Sequence, residues 1–237
     1  MAVDSDCLYD KNCACLHCGT TFTSKRVRSG SQPFVKRDTD FCTYFKNQRL
    51  NPILYTVYVC PACGFAFTDQ FDPVMPPLVR KQIHEKLTSK WISKNYGIIR
   101  TMEEAMATYK LAIYSAGLKG EAHSVKAGLY LRLAWLHRFT GNAAEERRFL
   151  NVAVEEYERS YIHSDYIKAD KEMSEARILY LIGELMRRVE RYDQAIRYFA
   201  KVAELKDRTI ETGIINMARD QWSLAREEYR LKQQQIV

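Results

Sequence analysis

Tyr58-Val59-Cys60-Pro61-Ala62-Cys63-Gly64 decides how this chain reads, because it repeats in miniature the earlier Cys15-Leu16-His17-Cys18-Gly19. A Cys-x-x-Cys-Gly turn brings two sulfurs to one side of a tight backbone reversal, and the glycine permits the positive φ at its exit. Two such knuckles make a four-thiolate site whose sulfurs each lie about 2.3 Å from one ion. The expected ligands are Cys15, Cys18, Cys60 and Cys63, and the expected ion is a structural Zn2+. Closed four-sulfur coordination leaves no position for water, so this metal points to folding rather than catalysis. An iron–sulfur centre and a thiol switch are the competing readings. His17 lies inside its knuckle and is expected to face solvent.

Outward from the knuckles the sequence alternates like strands. Residues 21–27 read as a strand, Ser29-Gly30-Ser31 as a turn and residues 34–37 as its hairpin partner. Residues 54–59 lead into the second knuckle and residues 65–68 leave it, the strand–knuckle–strand order of a zinc ribbon. Residues 1–14, with Asp4, Asp6 and Asp10, read as polar and loosely held. The 41 residues between Cys18 and Cys60 exceed the usual gap, so an insertion is expected there. It carries Arg37-Asp38-Thr39-Asp40-Phe41-Cys42, in which Asp38, Asp40 and Cys42 form a candidate functional cluster, either an acid-assisted thiol or a carboxylate metal site. The favoured alternative is structural: the aspartates cap a turn and pair with Arg37, and Cys42 is buried as a small hydrophobe, since no histidine lies nearby to act as base.

Seven cysteines in 237 residues are too few for a disulfide scaffold, and four sit in knuckles. A reducing compartment, the cytoplasm, is expected, as no basic start followed by an apolar run marks a secretory signal. The most apolar stretch, residues 52–67, is shorter than a bilayer span and is interrupted by Pro61. A hydrophobic fraction of 46% supports a packed core. The net charge of +7 is uneven: residues 1–100 hold 14 Lys/Arg against 8 Asp/Glu, and residues 101–237 hold 22 against 21. Lys25, Arg26, Arg28, Lys36 and Arg37 are therefore candidate phosphate contacts, the basis of a nucleic-acid-associated alternative.

Asp72-Pro73 and Pro76-Pro77 mark a boundary between residues 1–76, a zinc-ribbon-like metal module, and residues 77–237, a helical repeat domain. Beyond it the apolar period changes from two to near 3.6. Helices are expected over residues 78–91, over 101–116 behind the capping box Thr101-Met102-Glu103-Glu104, and over 209–232 with Ile210, Ile214, Met217, Trp222, Ala225 and Tyr229 on one face. Leu179, Ile182, Gly183, Met186, Ala195 and Phe199 follow the tetratricopeptide spacing. A poorer copy holds Tyr130, Leu133, Ala134, Gly141, Leu150 and Ala153, and a partner-helix fragment holds Ala105, Tyr109 and Ala112. Ala134 to Gly183 spans 49 residues where a repeat needs about 34, which places a surplus in residues 156–171. The groove of such an array would show Leu131, Trp135, Arg138, Arg177, Tyr180, Glu184, Arg187 and Arg188, a set suited to an acidic or C-terminal carboxylate peptide. Leu131 and Trp135 are equally consistent with plain core.

Taken together, the two knuckles, Lys36-Arg37-Asp38-Thr39-Asp40-Phe41, Asn51-Pro52-Ile53-Leu54-Tyr55, Val59 to Ala66 and Met217-Ala218-Arg219-Asp220-Gln221-Trp222 resemble a bacterial family catalogued as domain-of-unknown-function family 2225. The resemblance covers nearly the whole chain. It implies a cytoplasmic location and a zinc-plus-repeat layout, and it implies no activity. Cys7, Cys13 and Cys42 fall outside its cysteine pattern.

The fold expected is thus α+β and mostly α: a small zinc-ribbon-like β module, then a degenerate tetratricopeptide-like antiparallel helical array. Histidines at 17, 84, 123, 137 and 163 stand singly, and no nucleophile elbow or phosphate-cradling glycine loop is present. The function expected is a non-enzymatic, zinc-binding adaptor for a protein or peptide partner, away from membranes. A nucleic-acid-associated factor is the alternative, and a redox sensor using Cys42 is a weaker one.

Overall fold

The computed structural model describes residues 7–169 and 173–235. Asp4 and Asp6 of the expected loose segment, and the end of the expected surplus at Lys171, lie outside them. The fold is mostly helical with small antiparallel strand pairs near the N-terminus. It divides into two compact units: residues 1–38 with 42–121, and residues 39–41 with 122–237.

In the first unit each knuckle is the turn of its own hairpin. β1 (Leu8–Ala14) pairs with β2 (Thr21–Val27), with Ala14 opposite Thr21 on either side of the first knuckle. β5 (Tyr58–Val59) pairs with β6 (Ala66–Phe67), with Val59 opposite Ala66 around the second. Residues 8–14 are therefore strand rather than loose chain. Leu8 and Cys13 are buried, and the exposed acids and bases bond sideways, Asp10 to Lys25 and Lys11 to Asp69. The expected pairing of 21–27 with 34–37 does not form. The knuckle itself reverses the chain, so the strand after it pairs with the strand before it, and β3 (Phe34–Arg37) pairs instead with β4 (Thr43–Phe45). The strand expected over 54–59 is shortened by a 3-10 turn, Pro52–Tyr55, which has proline in its first turn and is capped by the Asn51 side chain.

α1 (Pro77–Lys86) ends sooner than expected, and a 3-10 turn, Thr88–Lys90, follows it. α2 (Met102–Lys119) opens on the expected capping box: Thr101 Oγ1 accepts from Glu104 N–H at 3.2 Å, and the Glu104 carboxylate accepts from Thr101 N–H at 3.1 Å. Ala105, Tyr109 and Ala112 are fully buried in this unit rather than in the helical array. Small–aromatic–small spacing serves helix-on-strand packing equally well: Tyr109 donates to the Ile53 carbonyl at 3.0 Å, and Ser115 Oγ accepts from Ala66 N–H at 3.1 Å. The compact unit thus runs through the proline-rich boundary at 76–77. Arg100, 3% exposed, ties its loops together by donating to the carbonyls of Tyr96 and Leu54 and to Ser24 Oγ. With neutral acceptors around it, burial pulls its guanidinium down to about 10.

In the second unit α3 (His123–Phe139) turns through Gly141, at φ +73°, into α4 (Ala143–His163). α6 (Glu175–Arg188) is joined by a short turn to α7 (Tyr192–Glu204), so each pair is antiparallel. α5 (Tyr166–Ala169) is a single turn between the pairs. The described part of the surplus at 156–171 is the last turns of α4 together with α5. A Cβ on Gly183 would stand 2.9 Å from the Phe199 ring, which is why a glycine sits where α6 meets α7. α8 (Thr212–Gln234) packs on α7 and α6. Ile210 precedes this helix and is 98% exposed, because the helix starts three residues later than expected. Among the described residues no helix is long and apolar enough to cross a membrane.

Candidate functional site

The two knuckles are built alike. Gly19 N–H donates to Cys15 O and Gly64 N–H to Cys60 O, both at 2.9 Å, with φ of +77° and +75° at the glycines. Cys15 N–H meets Thr20 O, and Cys60 N–H meets Phe65 O, both at 3.0 Å. The four sulfurs consequently converge, all within 4.8 Å of one another, with Cys15 to Cys63 and Cys18 to Cys60 each at 3.6 Å. A tetrahedral ion with metal–sulfur bonds of about 2.3 Å holds its sulfurs about 3.8 Å apart, whereas a disulfide needs about 2.0 Å. The cluster has the spacing of a metal cage. Cys15, Cys60 and Cys63 are buried, and Cys18 is exposed. As bare thiols they share protons unevenly: hydrogen bonds from Cys15 and Cys63 pull the Cys60 thiol down, the contact with Cys60 pushes Cys15 up, and the contacts with Cys15 and Cys60 push Cys63 up.

Trp91 and His17 pack beside the knuckles. Trp91 donates its indole N–H to Pro61 O at 2.9 Å, and its ring lies so close to Gly64 that a Cβ there would overlap it. His17 is 5% exposed rather than facing solvent, because its Nε2 meets Thr88 Oγ1 at 3.2 Å and its ring lies 6.0 Å from that of Phe65. Burial, then the charges of Arg80 and His84, lower its pKa. Neither Trp91 nor Thr88 carried any sequence signal of a role at the cage.

The candidate phosphate contacts have partners within the first unit. Lys25 pairs with Asp10 at 2.9 Å, Arg26 with Asp69 at 3.3 Å and Lys36 with Asp38 at 3.3 Å. Arg37 donates to Thr43 Oγ1 at 3.1 Å, and Arg28 lies 5.4 Å from the Tyr9 ring centre. Asp38, expected to pair with Arg37, is held by Lys36 and by Tyr44 Oη at 3.0 Å, and Cys42 is fully buried. The three residues of the candidate cluster are divided, Asp38 and Cys42 falling in the first unit and Asp40 in the second.

Asp40 thus belongs to the helical unit, with Thr39 and Phe41, and the residues expected to line the groove converge on this tripeptide. The Asp40 carboxylate, 0% exposed, accepts from Trp135 Nε1 at 3.0 Å and from both Arg138 terminal nitrogens, at 3.1 and 2.6 Å, with Arg188 at 3.6 Å. Thr39 O accepts from Tyr180 Oη at 2.7 Å, and Thr39 Oγ1 donates to Glu184 at 2.5 Å and accepts from Arg188 at 3.0 Å. Phe41 packs on Tyr180, ring centres 5.6 Å apart, beneath the Arg177 guanidinium at 5.9 Å. Arg187 supports the site from behind, bracing Glu184 at 3.0 Å and Glu228 at 2.9 Å. Leu131 is core at 3% exposure, whereas Trp135 turns its indole nitrogen to Asp40. Burial pushes the Asp40 carboxyl up, but the Arg138 hydrogen bonds and the charges of Arg188 and Arg138 outweigh it and hold it below the usual carboxylate range.

Small strand pairs around a four-cysteine cage, followed by antiparallel helix pairs, define a mostly α protein with a candidate metal centre. The chain belongs to the family described as "Uncharacterized protein conserved in bacteria (DUF2225)", whose model matches residues 8–225. No curated protein and no solved structure matches it.

Proposed function

We propose that this chain is a non-enzymatic adaptor in which a four-cysteine zinc module accompanies a tetratricopeptide-like array that recognises a short acidic segment of a protein partner. The observation that carries this reading is the enclosure of Asp40 by Trp135, Arg138 and Arg188. Charge-assisted, two-pronged binding by arginine is how helical grooves select a carboxylate in a peptide. The sulfur spacing of 3.6 Å fits a tetrahedral four-thiolate ion, which in this reading is zinc. The pairing of Lys25, Arg26 and Lys36 with carboxylates weighs against phosphate binding by the same side chains, and the burial of Cys42 weighs against a thiol sensor. The reading places the chain in the cytoplasm, where knuckle thiols stay reduced.

The test is capture from the native cells at low salt, with and without nuclease, using wild-type chain, Trp135→Ala and Arg138→Glu. A defined partner that survives nuclease and moderate salt and is lost with either substitution is the expected result. Nucleic acid that leaves with nuclease or salt, taking the proteins with it, would replace the adaptor reading with the phosphate-binding one. Elemental analysis should find one zinc per chain, and a visible chromophore would mean an iron–sulfur centre.

A further inference from the structure

We infer that Thr39-Asp40-Phe41 is a built-in competitor occupying a recognition site whose ligand in trans is a partner segment of the form hydroxyl residue, aspartate, large aromatic. This rests on reading the array as a peptide-binding surface, and it adds the ligand class and the means by which the site is kept closed.

Three independent observations carry it. The first is completeness of polar recognition. Every hydrogen-bonding feature that distinguishes the side chains of the first two residues is read: the Thr39 hydroxyl by Glu184 and Arg188, and both Asp40 oxygens by Arg138 with Trp135, while Tyr180 takes the Thr39 carbonyl. Glu184 is itself 0% exposed and fixed by Arg187 and Arg188, so the donor–acceptor pattern is set before the hydroxyl arrives. A site of this kind rejects an analogue lacking the hydroxyl or the charge, because a buried group is then left unpaired.

The second observation is strain. Phe41 sits at φ +69°, in the left-handed region that an L-residue without special need avoids. Asp38 N–H bonds Cys42 O at 2.8 Å across the base of the loop, which leaves the chain little freedom to relax there. A free peptide has no such closure and can present its aromatic side chain from an ordinary backbone conformation. The third observation is incomplete filling. Beside Phe41 lies a cavity of about 150 Å³, lined by Leu131, Trp135, Tyr157 and Leu181 together with Arg132 and Arg177. Phenylalanine leaves that space open, and a tryptophan side chain in its place would enter it.

Against these stands proximity. A tethered segment has an effective concentration on the order of millimolar, so an external ligand must be better, or locally abundant, to replace it. The apparent affinity of the wild-type chain is lowered by the fraction of molecules whose site is open. That is how a small intramolecular segment sets a threshold for partner binding.

The experiment uses the full chain and a fluorescein-labelled seven-residue peptide with the sequence of residues 36–42, serine replacing Cys42. A variant with Thr39, Asp40 and Phe41 all changed to glycine should bind it in anisotropy titrations at least tenfold more tightly than the wild-type chain does. Asparagine at the peptide's second aspartate, or valine at its threonine, should weaken binding at least tenfold, and tryptophan at its phenylalanine should strengthen it. Arg138→Ala in the glycine variant should abolish it. If the glycine variant does not fold, the wild-type chain is titrated with millimolar peptide while the Trp135 indole N–H is followed by NMR, and a saturable shift is expected. A folded glycine variant, retaining its helical circular dichroism, that does not bind would overturn the inference, as would an unmoved Trp135 resonance in the fallback. Binding equal for the aspartate and asparagine peptides would also overturn it. The adaptor reading fails separately, when capture yields no partner dependent on Trp135 or Arg138, and it survives a negative peptide result when capture still yields such a partner.

Discussion

Asp40 and Arg138 show how one residue pair acquires a large share of local stability. Removing one member of a buried, hydrogen-bonded ion pair typically costs about 3–5 kcal/mol, because the other charge stays behind without its partner. Arg138 retains Glu146 at 2.7 Å, so Asp40→Ala should fall at the lower end and Arg138→Ala, which strands a carboxylate that is 0% exposed, at the upper. Urea unfolding of the two variants measures the difference, and equal small losses would contradict it. The sign of the pH dependence follows from the depressed carboxyl. A group whose folded pKa is lowered contributes stability fully above its unfolded value, about 3.9, and loses it as pH falls through the folded one. Asp40→Asn should therefore flatten the acid limb of the stability curve below about pH 4 and leave its slope near neutrality unchanged.

At the scale of elements, the two knuckles invite a comparison that needs no assumption about the ion. Gly19 and Gly64 have nearly the same positive φ, but a Cβ at Gly19 meets nothing within 4 Å, whereas one at Gly64 runs into Trp91. Gly19→Ala should cost only the left-handed penalty, about 1–2 kcal/mol, and Gly64→Ala distinctly more, with loss of metal affinity. Trp91→Ala should restore part of the Gly64→Ala loss, since it removes the colliding ring, and a thermal melt of the double variant tests this. The same elements show what the sequence could carry. Cys-x-x-Cys-Gly, the capping box at Thr101 and the glycine at 183 opposite Phe199 are local patterns whose spacing alone implies their geometry. The strand at 8–14 was hidden because Asp10, Lys11 and Asn12 make its middle polar and its partner lies across a knuckle that already makes the turn. Repeat spacing suggested that Trp135, Arg138, Tyr180, Glu184 and Arg188 share a face, but not that they meet Thr39 and Asp40. Asp40 lies 98 residues from Arg138 and Thr39 lies 145 from Glu184, and no local pattern marks either contact.

For the molecule as a whole, an ion in the cage would close a large loop. Bridging Cys18 and Cys60 encloses 41 residues, and a cross-link over a loop of that length removes chain entropy worth about 4 kcal/mol from the unfolded state. Chelation should lower the melting temperature by about 10 °C, and thiol titration of the native chain should show four fewer reactive cysteines with metal than without. No change in either would mean that the cage holds without an ion. The packing of Trp91 on the second knuckle also gives the chain an optical gauge. Of its three tryptophans, Trp91 is the one bonded to a knuckle, through Pro61 O, with its ring against Gly64. In a chain carrying Trp135→Phe and Trp222→Phe, all indole emission would come from that contact. A red shift on chelation, reversed by added zinc, would turn occupancy of the cage into a colour that can be followed second by second.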